Sequence, residues 1–131
     1  MSVTFYTDQP KQLLKAFDDS IKQTAAKGKI TTWEKLPDDI HYTHKAADWH
    51  REAFFKAVIK DDKLVFNIVK PKGATVSTTA YAYYHGHLIE TFLNHFDLQF
   101  TEGSASESPR ISRRLQLLRR WSYEQVEEVL T

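Results

Sequence analysis

Two segments, AFFKAVI at 53–59 and LVFNIVK at 64–70, carry apolar side chains on both of their alternating faces, and this constrains the fold more than any other feature of the chain. Phe55, Ala57 and Ile59 alternate with Phe54, Lys56 and Val58, while Leu64, Phe66 and Ile68 alternate with Val65, Asn67 and Val69. A strand wetted on one side would alternate apolar with polar residues. Both segments are therefore expected near the middle of a sheet, covered on each face by helices or by a second subunit. Lys60-Asp61-Asp62-Lys63 between them reads as a hairpin connection.

Two further strands are expected upstream. ITTWEKL (30–36) is rich in β-branched residues, and Pro37-Asp38-Asp39 forms a turn into IHYTH (40–44). KAADWHR (45–51) is too short for more than a helical turn or a loop. LQFTE (98–102) reads as a fifth, edge strand.

Helical periodicity frames these strands. Thr7 or Asp8 can cap a helix with Pro10 in its first turn, and Leu13, Leu14, Phe17, Ile21 and Ala25 form its stripe until Gly28 ends it. Ser77 or Thr78 can cap a long helix reaching about Phe96. GSASESP (103–109) has the composition of a linker, and ISRRLQLLRRW then gives a second amphipathic helix. Ser122 and Gln125 resemble a capping box for a last short one.

The order predicts an α+β fold: an antiparallel sheet of four to five strands packed against an N-terminal helix and a long central helix, with a C-terminal helical extension. In domain terms, 1–102 is a single α+β domain, 103–109 a flexible linker, and 110–131 an extension that packs on the domain or on a partner. At 131 residues the chain is long enough for one real core but not two.

Charge excludes some functions. Eighteen Lys and Arg against seventeen Asp and Glu give a net charge of +1, so there is no global field to draw in nucleic acid or an anionic membrane. With no cysteine, disulfides, thiolate zinc sites and cysteine nucleophiles are excluded. No apolar run approaches the roughly 18 residues of a spanning helix. The opening MSVTFYTDQPK lacks a secretory profile, which makes a cytoplasmic protein the expectation.

Residues able to carry chemistry concentrate on the long helix. At about 100° per residue, Tyr81, His85, Leu88, Phe92 and Phe96 share one stripe flanked by Tyr84, while Tyr83, His87 and Glu90 fall on the opposite side. His85 is then either a core histidine or a general acid/base at the floor of a pocket lined by Tyr81 and Tyr84. His87 and Glu90 read as a solvated pair. Gly86, mid-helix, suggests close approach of a strand.

Elsewhere His41, Trp49 and His50 are candidates for lining a ligand pocket, although ordinary loop and strand roles suit them as well. His41 and His44 have odd spacing and face opposite sides of a strand. PKGATVSTT (71–79) lacks the glycine pattern of a phosphate loop. No metal site and no cofactor are expected. Arg113, Arg114 and Arg120 gather with Trp121 on one face of the C-terminal helix and could meet a partner, or weakly bind nucleic acid.

These readings favour a non-catalytic binding or adaptor domain, self-associating, that recognises a protein or small ligand between sheet and long helix. The alternative is a small hydrolase or isomerase using His85 with Tyr81 or Tyr84. The third reading is nucleic-acid binding through the arginine helix.

Overall fold

The computed structural model describes residues 1–25, 27–70 and 76–106. Within them the chain is α+β, with one antiparallel sheet of six strands in the order β2-β3-β4-β5-β1-β6 and two helices. The elements are β1 (Ser2–Tyr6), α1 (Pro10–Lys22), β2 (Trp33–Lys35), β3 (His41–His44), β4 (Phe54–Ile59), β5 (Lys63–Val69), α2 (Thr78–Phe96) and β6 (Glu102–Ala105). The C-terminal extension, with Arg113, Arg114, Arg120 and Trp121, lies outside the described residues, as do the last residues of the linker segment.

β1 is the strand that adds to the expected count. Val3 and Phe5 are fully buried and alternate with Ser2 and Thr4, the period of a half-covered strand. It inserts between β5 and β6, with Thr4 opposite Val65 on one side and Ser104 on the other. β6 in turn takes in Gly103, Ser104 and Ala105, residues whose small polar composition reads as linker. Gly103 lies opposite Phe5 in the register, where an added Cβ would stand 3.1 Å from the Phe5 ring.

α1 ends at Lys22, earlier than Gly28 suggests. Gln23 is extended (φ −67°, ψ 154°), and its N–H closes the last turn on the carbonyl of Asp19. Beyond it Ala25 is exposed, so no apolar contact rewards another helical turn.

Both helices lie on one face of the sheet, since Phe66 of β5 meets Phe17 of α1 and Phe92 of α2 at 5.8 and 5.6 Å between ring centroids. Phe5 stacks on Phe92 at 4.1 Å and 9°. Phe5, Phe17, Trp33, Phe55, Phe66, Leu88 and Phe92 are buried together, so the space between sheet and long helix is packed core.

β4 and β5 are central, as their composition requires, but among the described residues the far face carries a buried cluster at one end only. There Leu36, Phe54 and Val69 make a second buried cluster. Further along the same face Lys56 and Asn67 are exposed. On the helix side β2 and α1 are joined by a charge network. Lys35 Nζ lies 3.0 Å from Asp18 and 3.2 Å from Asp39, and the Tyr42 hydroxyl donates to Asp18. Burial and the Asp18 carboxylate together push the Tyr42 phenol well above its ordinary range.

Candidate functional site

The chemistry-bearing side chains meet where the N-terminal half of α2 crosses the end of β3. α2 begins there because Ser77 caps it, its hydroxyl accepting the Ala80 N–H at 3.0 Å. β3 alternates, so Tyr42 and His44 face the helices while His41 faces away. His44, 1% exposed, points Nε2 at His87 Nδ1 across 2.5 Å. Trp33 closes the pair from one side, 5.0 Å from the His44 ring, and Tyr83 from another at the same 5.0 Å.

The segment after β3 folds back over this face. Trp49 stacks on Tyr83 with centroids 4.4 Å apart and planes 12° from parallel. The hydroxyl of fully buried Tyr84 donates to the Trp49 carbonyl. Thr43 Oγ1 donates to Ala53 O at 2.9 Å and accepts the Arg51 N–H at 3.2 Å, drawing the segment's return onto β3. Arg51 reaches this bond with φ at 60°, a left-handed conformation that side chains other than glycine rarely adopt. Burial raises the pKa of the Tyr84 phenol, so it stays a neutral donor.

Hydrogen-bond direction assigns the tautomers. The Ala46 N–H donates to His44 Nδ1 at 3.0 Å, which places the hydrogen of the neutral ring on Nε2. That Nε2–H donates to His87 Nδ1. His87 then carries its own hydrogen on Nε2, 3.9 Å from Glu90 Oε1. Burial, followed by the repulsion of a charged His87, lowers the pKa of His44 to about 4, so the inner ring is neutral.

The arrangement suits proton sharing better than metal binding. A ligating histidine donates its second N–H to a carbonyl or carboxylate, whereas the second nitrogen of His44 accepts one. Among the described residues no group of three His, Asp or Glu is placed to hold a metal ion. No helix among them is long and apolar enough to cross a membrane.

The expected acid/base group is spread over different environments. His85 is 6% exposed, with Nδ1 donating to the Tyr81 carbonyl at 2.6 Å and its ring edge-on to Phe55. Its Nε2 is buried and meets no hydrogen-bonding partner among the described residues. Burial lowers its pKa, against the opposite effect of the Tyr81 carbonyl. The rings of Tyr81 and His85 lie 6.2 Å apart, while the Tyr84 hydroxyl points to the Trp49 segment instead. Gly86 is exposed and an added Cβ would meet nothing within 4 Å among the described residues, so none of the described strands approaches it.

His41, Trp49 and His50 do not converge. His41 Nδ1 lies 2.7 Å from Asp38 Oδ2, and its Nε2 is buried without a partner among the described residues. Burial pushes the Asp38 pKa up, but the Ile40 and His41 N–H groups and the His41 ring outweigh it and leave the carboxyl below its usual range. His50 turns to Glu34 at 2.9 Å, away from the Trp49–Tyr83 stack.

The His44–His87 pair is the relationship that helical geometry alone misses. Tyr83 and His87 do oppose His85 on α2, yet both are half-buried, Tyr83 beneath Trp49 and His87 against His44 and Trp33. The signal available was His44 two residues after Tyr42, on the inward side of β3. Comparison of the chain with protein-family models, with curated proteins and with solved structures finds no match.

Proposed function

We propose that the chain is a non-catalytic binding domain that self-associates and recognises a protein or small ligand through Trp49, Tyr83 and His87. The supporting observation is the Trp49–Tyr83 stack, two half-exposed rings already ordered and pinned by the buried Tyr84 hydroxyl. Aromatic anchors held before binding contribute much of the affinity at interfaces, because little freedom remains to be lost. His87 Nε2–H adds a donor beside them. The packed core between sheet and helix moves the expected binding region out to this rim. Self-association is supported by Tyr6, Val58 and Val65, which leave apolar surface partly open on the far face of the sheet.

An NMR screen of the whole chain against an aromatic-fragment library tests the recognition surface. Shifts are expected to concentrate on Trp49, Tyr83 and His87 and to disappear in Trp49→Ala; hits clustering elsewhere overturn the assignment. Light scattering tests self-association, which a strict monomer at high concentration contradicts.

An enzyme of hydrolase or isomerase type, with His85 as acid/base and Tyr81 beside it, is the second reading. It is supported by the buried Nε2 of His85, which meets no hydrogen-bonding partner among the described residues and so keeps a free lone pair. Turnover of model esters that is lost in His85→Gln would carry it. Nucleic-acid binding through Arg113, Arg114 and Arg120 is the third, checked by salt-dependent binding of an oligonucleotide.

A further inference from the structure

We propose that His44 and His87 form a proton-sensitive latch for the Trp49–Tyr83 surface, in which one added proton separates the two rings. In the neutral pair every facing nitrogen has a role: Ala46 N–H to His44 Nδ1, then His44 Nε2–H to His87 Nδ1. A proton placed on His87 Nδ1 sets two N–H groups against each other. His44 could accept it only by moving its own hydrogen to Nδ1, where the Ala46 N–H already points. No singly protonated form keeps both contacts.

The surroundings decide which ring takes the proton. His44 is enclosed by Trp33, Tyr83 and Tyr84, and the charge that acts on it is that of His87. His87 faces Glu90 from its own helix at 3.9 Å, and its side chain is 21% exposed. Glu34 and His50 are engaged with each other. The proton therefore goes to His87, whose cation turns toward Glu90 and solvent. His44 Nε2–H is then left beside the Tyr83 hydroxyl, 3.5 Å away, which accepts it. Because Tyr83 is the ring under Trp49, its new bond is transmitted to the stack. The use of this latch in recognition rests on the binding reading above, whereas the latch itself does not.

The test is imidazole and indole NMR on the whole chain, followed from about pH 8 down to about pH 5, which stays above the value near 4 at which His44 itself takes up a proton. At the alkaline end His44 is expected as the Nε2–H tautomer. On acidification the His87 ring and the Trp49 indole are expected to shift in one coincident transition. In His87→Asn the side-chain oxygen accepts from His44 without titrating, and the Trp49 resonance holds its alkaline position throughout. His87→Gln serves the same purpose if the first variant loses its dispersed spectrum. A His44 carrying its hydrogen on Nδ1 at neutral pH, or a Trp49 transition that survives in these variants, overturns the latch. Since these resonances are read without ligand, failure here is distinct from failure of the fragment screen.

Discussion

Trp33 Nε1 donates to Thr91 Oγ1 across 3.0 Å in the buried interior, joining the short edge strand β2 to the long helix. The Thr91 hydroxyl passes its own hydrogen to the His87 carbonyl at 2.8 Å, so the indole is satisfied and the hydroxyl is used twice. Thr91→Val keeps the shape and strands the indole N–H. A loss of about 1 to 3 kcal/mol in urea unfolding is expected. An unchanged midpoint would show that the indole finds another acceptor.

Tyr84→Phe removes the donor that holds the Trp49 carbonyl. Its ring remains in the core and the Trp49 carbonyl keeps the longer Glu52 N–H bond at 3.3 Å, so the cost is that of one lost hydrogen bond, about 0.5 to 1.5 kcal/mol. Near-ultraviolet circular dichroism should report the loss of the Trp49–Tyr83 stack along with it. A spectrum identical to that of the parent chain would mean the stack holds the segment without the hydroxyl.

Gly86→Ala should stabilise the protein. The position is exposed, lies mid-helix in α2 and offers a Cβ open space. Alanine there recovers about 1 kcal/mol of helix propensity. The readout is a higher melting temperature; a lower one would point to a backbone role for the glycine that its surroundings do not display.

Acid should weaken the fold through its histidines. The pKa of His44 is lowered to about 4, and that of His85 is lowered as well, from an ordinary 6.5, chiefly by burial. Between those values the unfolded chain binds protons that the folded chain refuses, so stability rises with pH. The full contribution is present above the ordinary value and declines as pH falls toward about 4. Urea midpoints measured near pH 7 and near pH 5 should therefore differ, the acidic one being lower.

Much of this fold is legible in the sequence because apolar period and turn chemistry agree. The two-sided strands do lie centrally, and Ser77 does start the long helix. β1 escapes notice because five residues, Ser2–Tyr6, give only two inward positions, Val3 and Phe5. The site is legible only in part. Helical geometry separates His85 from His87, but it contains no information about His44 or Trp49, whose approach depends on long-range strand pairing. Residues 45–52 illustrate the limit: their placement comes from Tyr84 and Thr43, not from their own propensities.

The position of β1 has a consequence for the order of assembly. It precedes both of its neighbours, β5 and β6, by more than fifty residues, and Ser2 bonds Ser106 at a separation of 104 positions. A hairpin such as β4–β5 closes locally, whereas β1 must wait for the chain's later half before either of its edges is paired. Such distant closure makes folding slow for a domain of this size. During synthesis Val3 and Phe5 stay without strand partners until residues 63–67 and 102–105 follow, an interval in which they are open to association.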